Sequence, residues 1–128
     1  VDFIHYPAKA ARPYVVAANP ELVNRIAGDD MMRGCTIAAN GFYGPQGRVL
    51  RCDLAIKDIN DRITDFRYEG QRITNYEMEG SAIAGLSLLM GHKAMTVCCV
   101  IAQRKVEAAN TDYKPRIKQL VETVLERI

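Results

Sequence analysis

Three separated stretches hold side chains that could together grip a polar small molecule. Phe42-Tyr43-Gly44-Pro45-Gln46-Gly47-Arg48 offers an aromatic face, an amide that both donates and accepts, and a guanidinium that only donates. Asn75-Tyr76-Glu77-Met78-Glu79-Gly80 sets a carboxylate on each side of a methionine, and carboxylates are strong acceptors for hydroxyl groups. Gln103-Arg104 adds a second amide and a second guanidinium. Each stretch alone has a plain structural reading: a surface turn with an incidental arginine, two acids at a helix start, or an arginine leaving a strand for solvent. Their joint pattern describes a polar pocket on an apolar scaffold and is more specific than its parts.

Nucleophilic and metal chemistry find less support in the residues. His5 and His92 stand in no motif and read as structural or surface residues, so no Ser-His or Cys-His pair is in view. Cys35, Cys52, Cys98 and Cys99 form no C-x-x-C pair, and no metal site is expected. Cys98-Cys99 lies in an apolar run where both thiols act as small hydrophobes.

The elements that must position the three stretches follow from periodicity and breakers. Tyr14 to Ala18 is a short β-branched run and is expected to form a buried strand. Asn19-Pro20-Glu21 supplies an N-cap, a proline for the first turn and an acid. Leu22, Val23 and Ile26 then give a short helix one apolar face, and the helix stops near Gly28. Met31 to Ala39 is a second strand candidate that empties into the turn-rich loop 40–48. Ile56, Ile59, Ile63 and Phe66 recur at helical spacing among charges, which predicts an amphipathic helix closed by Gly70. Residues 72–76 are a brief strand signal. Gly80 to Met90 is an apolar helix expected to be buried on most sides, and Gly91 supplies its stop. Ala94 to Ala102 has the composition of a central parallel strand, and Ile117, Leu120, Val121, Val124 and Leu125 mark a closing helix. Alternating strands and helices predict an α/β fold: three layers, αβα, around a mixed or parallel sheet, with chemistry at the strand ends.

Composition bounds the alternatives. The 128 residues suit one domain, and 48% hydrophobic with 25% charged residues is ordinary for a globular chain. The 17 Lys and Arg against 15 Asp and Glu are scattered, so neither nucleic acid nor an anionic membrane surface is an expected partner. The longest apolar runs are about half of the ~18 residues that a membrane-spanning helix needs. No charged-then-apolar leader opens the chain, and the cysteine usage suits a reducing compartment; a cytoplasmic location is the expectation. The chain starts at Val1 without an initiator methionine, which points to processing or truncation.

The three stretches, in this order, carry a resemblance. F-Y-G-P-Q-G-R, then N-Y-E-M-E-G about thirty residues on, then V-I-A-Q-R, resembles the carboxyl-terminal half of the nucleoside phosphorylases, in particular the uridine phosphorylase branch, from about Tyr14 to the closing helix. The resemblance implies a nucleoside phosphorylase-like fold, of which residues 1–128 are a partial domain. It implies a glycosyltransferase of pyrimidine salvage: reversible phosphorolysis of uridine to uracil and ribose 1-phosphate, with inorganic phosphate as co-substrate and no cofactor. The implied catalytic residues are Arg48, Glu79 and Arg104. Phe42, Gln46, Arg48 and Arg104 would meet the base, and Glu77, Met78 and Glu79 the ribose. Uracil presents an acceptor, a donor and an acceptor along its edge, which a glutamine and two arginines complement; cytosine would set a donor against donors.

The same resemblance places the phosphate-binding glycine-rich loop and arginines in an amino-terminal half that this chain lacks, since Arg12 and Arg33 stand in no glycine-rich context. By itself the segment is expected to be inactive, and homo-oligomers are implied by the family. Other readings remain: a nucleosidase using water, a purine-directed relative, or a non-catalytic nucleoside-binding module. Gln103-Arg104 stands where purine enzymes of the family place an Asp, which argues against the purine branch.

Overall fold

The computed structural model describes residues 2–103, 108–109 and 111–128. Asn19 caps helix α1 (Pro20–Ile26) as its sequence dictates: the Asn19 side chain accepts from the Leu22 N–H at 3.2 Å, Pro20 occupies the first turn, and Glu21 faces the positive end of the helix dipole. Strand β1 (Cys35–Ala38) leads through a 3-10 turn (Gly44–Gln46) to α2 (Ile59–Asp65), then to the short strand β2 (Arg67–Tyr68) and β3 (Gln71–Glu77). Glu69 and Gly70 both take positive φ, 48° and 78°, the geometry of a tight two-residue hairpin between β2 and β3. Helix α3 (Gly80–Leu89), the paired strands β4 (Ala102–Gln103) and β5 (Ala108–Ala109), and α4 (Lys114–Arg127) complete the order.

β1 and β3 run parallel, with Ala38 opposite Glu77 and a register shift between Cys35 and Thr36, while β2 pairs antiparallel on the far side of β3. The crossover from β1 to β3 runs through α2, as parallel pairing requires, and α2 packs on β3. The α/β class with a mixed sheet thus stands. The buried hydrophobic residues among those described are Ile26, Ala39, Ile59 and Ile63: the last two on the inner face of α2, Ile26 where α1 meets α4.

Two expected strands are not regular strands. Tyr14–Ala18 joins no ladder, and of the run 94–102 only Ala102 pairs, with Ala109. Backbone contact at the head of that run is one bond, from the Asn19 N–H to the Ala94 carbonyl at 2.8 Å. Hydrophobic composition makes a segment fit for a strand, but a ladder needs a partner backbone in hydrogen-bonding register at about 4.8 Å, and residues 14–18 and 94–101 form no such ladder among the described residues. Helix α3 is likewise more open than its composition predicts, with Leu86 59%, Leu88 72% and Leu89 84% exposed. The chain exposes 9886 Å². A compact domain of its mass exposes about 6,800 Å², so the chain carries roughly 3,000 Å² of extra surface, to which these apolar segments contribute.

Candidate functional site

The parallel pairing of β1 and β3 decides where chemistry can collect. Because both strands point the same way and Ala38 lies beside Glu77, the loop 40–48 and the segment 77–79 leave the sheet at the same carboxyl-terminal edge. The Ala39 N–H extends the pairing by one residue, donating to the Glu77 carbonyl at 2.8 Å. Sequence separation of about thirty-five residues thereby becomes adjacency of strand ends.

Within the loop, the backbone folds back on itself. The Gln46 and Arg48 N–H groups both donate to the Tyr43 carbonyl at 3.0 Å, and Gly47 closes the turn at φ 73° with its N–H on the Gly44 carbonyl. Gly47 is required by conformation and by space: a Cβ there would lie 2.3 Å from Asn60 Nδ2. Gln46 is 4% exposed and is the buried polar residue among those described. The Arg48 guanidinium lies over the Phe42 ring, 3.6 Å from Cζ to the centroid, and its Nη1 donates to the Phe42 carbonyl at 2.5 Å. Phe42 and Tyr43 meet edge to face at 5.2 Å. The loop therefore presents one guanidinium–aromatic unit on its half-open side, with Gln46 turned inward.

At the end of β3 the carboxylates divide. Glu77 Oε2 accepts from the Glu79 N–H at 2.8 Å and the Gly80 N–H at 2.5 Å, so this side chain satisfies two of the orphan donors at the start of α3. Glu77 Oε1 is buried and has no hydrogen-bond donor among the described residues. Met78 and Glu79 are exposed at the same edge. The capping reading of these acids thus holds for Glu77, whereas the Glu79 carboxylate faces solvent.

The segment after α3 completes this corner. A Cβ on Gly80 would fall 2.6 Å from Thr96 Oγ1 and 3.0 Å from Glu77 Oε2, so glycine lets residues 96–98 pass against the start of α3. Burial pushes the Cys98 thiol above its ordinary value; an Asn75 hydrogen bond pulls it down, and the Glu77 and Cys99 charges raise it further. Asn75 also ties the strands, with Nδ2 donating to Thr36 Oγ1 at 2.9 Å and Oδ1 accepting from Thr74 at 3.0 Å. Thr96 and Cys98 escape sequence reading because their apolar neighbourhood marks them only as strand interior.

Among the candidates, Phe42, Gln46 and Arg48 share one loop, and Glu77, Met78 and Glu79 share the adjoining strand end. Arg104 lies outside the described residues, and Gln103 is exposed at the end of β4. No cluster of three metal-ligating side chains occurs among the described residues, and no helix described is long and apolar enough to cross a membrane.

The family model of the phosphorylase superfamily matches residues 3–126. A uridine phosphorylase A of Schistosoma mansoni is 41% identical over 73 residues, covering 56% of this chain and 24% of the relative. A nucleoside phosphorylase of Trypanosoma brucei, whose crystal structure is described as showing uridine phosphorylase activity, superposes with a TM-score of 0.75 at 25% identity, over 88% of this chain and 42% of that one. The chain thus spans less than half the length of either relative. The fold is nucleoside phosphorylase-like, and the chain belongs to the phosphorylase superfamily.

Proposed function

We propose that this chain carries the base and ribose part of a uridine phosphorylase site, which phosphorolyses uridine to uracil and ribose 1-phosphate. The observation that carries this reading is the parallel register of Ala38 with Glu77, which delivers the loop of Gln46 and Arg48 and the carboxylate of Glu79 to one edge of the sheet. The likeness to the Schistosoma and Trypanosoma proteins supports a pyrimidine nucleoside as substrate.

In this mechanism phosphate attacks the anomeric carbon while the bond to the base breaks. Positive charge grows on the ribose ring and negative charge on the leaving uracil. Arg48, joined by Arg104, donates to the leaving base and stabilises its charge. Gln46 accepts from the ring N–H and donates to a carbonyl. Glu79 holds the ribose hydroxyls, with Met78 packed against the sugar, which fixes the anomeric carbon for in-line attack. Glu77 serves the same pocket by shaping the start of α3. No covalent intermediate and no cofactor are needed.

The phosphate-binding residues belong, in this reading, to protein outside these 128 residues, and the segment alone binds nucleoside without turning it over. The exposed apolar area supports further protein covering α3 and residues 94–101, including a second subunit in a homo-oligomer of the cytoplasm. Calorimetric titration with uridine, cytidine and inosine tests the base reading: uridine binds, and cytidine binds at least tenfold more weakly. Equal affinity for all three overturns it. Uracil release by the complete polypeptide separates the reactions, because phosphorolysis requires phosphate and a nucleosidase does not.

A further inference from the structure

Loop 40–48 and strand β3 are the two halves of the proposed site, and one side chain outside both touches each of them. Asn60, in the first turn of α2, accepts a hydrogen bond from the Tyr76 hydroxyl to its Oδ1 at 2.9 Å. Tyr76 directly precedes Glu77 on β3. The amide nitrogen at the other end of the same Asn60 side chain lies against Gly47, so close that any residue with a Cβ at 47 would collide with it. Asn60 and Tyr76 are both half-buried, which shields the bond from competing water.

The helix under this side chain is well anchored. Ile59 and Ile63 are the buried face of α2, and α2 packs on β3. Asn60 follows Ile59 directly, so its backbone position is fixed by core packing and its amide is held between the turn and the strand. An asparagine amide is flat and short, and it offers an acceptor at one corner and a donor at the other. Alanine would leave a gap beside Gly47 and take away the Oδ1 acceptor of the Tyr76 hydroxyl.

We propose that Asn60 is a positioning residue of this site, joining the turn that carries Gln46 and Arg48 to the strand that delivers Glu77, Met78 and Glu79. It touches no ligand; it sets the distance between the groups that meet the base and those that meet the sugar. The proposal rests on the uridine-site reading for its functional consequence, but its structural consequence can be measured without a ligand.

The test compares the protein with Asn60→Ala, Asn60→Asp, Tyr76→Phe and the Asn60→Ala/Tyr76→Phe double variant, by amide hydrogen exchange and by uridine titration. Exchange at the Gln46, Gly47 and Arg48 amides is expected to accelerate about tenfold or more in Asn60→Ala, with β1 amides at Thr36–Ala38 unchanged. Asn60→Asp keeps the acceptor for Tyr76 and restores most of the protection. Tyr76→Phe, which removes one oxygen and leaves the ring, reproduces part of the effect even if Asn60→Ala folds poorly. Uridine affinity falls about tenfold in Asn60→Ala, and the double variant loses no more than the worse single one, as expected for groups acting as a unit. Unchanged exchange at 46–48, or acceleration spread equally over β1, overturns the proposal. A protein that binds no uridine overturns the site reading instead, and the exchange result still decides whether Asn60 fixes the turn.

Discussion

Arg48 stacks on Phe42 while its Nη1 holds the Phe42 carbonyl at 2.5 Å, so the cation of the proposed base site is braced by the aromatic residue six positions before it. Bracing of this kind lowers the freedom a guanidinium must lose on meeting a ligand. It also makes Phe42 and Arg48 one structural unit rather than two independent side chains.

Removing that cation separates function from stability. In the complete enzyme, Arg48→Ala is expected to lower uridine turnover by about 10²–10³-fold, the range for a lost donor to developing negative charge. The stacking contact, half-open to water, contributes only ~0.5–1 kcal/mol to folding. Steady-state kinetics beside a urea denaturation curve checks this: near-normal turnover removes Arg48 from the mechanism.

The two glutamates should respond in opposite ways. Glu77→Ala strips the acceptor from the Glu79 and Gly80 N–H groups and is expected to destabilise the fold by ~1–2 kcal/mol. Glu79→Ala, at an exposed carboxylate, leaves the denaturation midpoint within the usual range for surface changes, about ±0.5 kcal/mol, while weakening nucleoside binding. Equal stability losses in the two variants would refute this division.

Two glycines in one turn give a further contrast. Gly47→Ala meets both a φ of 73° and the Asn60 side chain and should cost ~1–3 kcal/mol. A Cβ on Gly44 meets nothing within 4 Å, and Gly44→Ala should stay within about 0.5 kcal/mol of the parent. Thermal denaturation of the pair measures it.

The α1–α4 contact carries a pH dependence. Arg127 donates to both Asp30 carboxylate oxygens at 3.0 Å, and that hydrogen bonding holds the Asp30 carboxyl below its ordinary value. A carboxyl depressed in the folded state stabilises it above the unfolded pKa of ~3.9, and the contribution disappears as pH falls through the folded value. Urea midpoints at about pH 7, 4 and 2.5 should therefore fall more steeply for the parent than for Asp30→Asn. Parallel slopes would show that the exposed pair contributes nothing.

Local signals made much of this molecule legible in advance. Asn19-Pro20-Glu21 announced the start of α1, and the isoleucines at 59 and 63 the inner face of α2. Capping and helical periodicity depend on neighbours three or four residues away, so a sequence states them directly. Pairing does not work that way. Tyr14–Ala18 and residues 94–101 have the composition of buried strands, yet they form no ladder among the described residues, since a ladder depends on a partner backbone that composition cannot name.

The chain by itself determined which polar and aromatic side chains gather in three short stretches and in what order they occur. Tertiary structure decided that β1 and β3 are parallel, and hence that Gln46, Arg48 and Glu79 come from one edge of the sheet. It also decided that Glu77 turns back to cap α3 while Glu79 faces outward, and that Asn60 bridges Gly47 and Tyr76. Such relations arise from strand direction and register between residues remote in sequence, where no local period or propensity reaches.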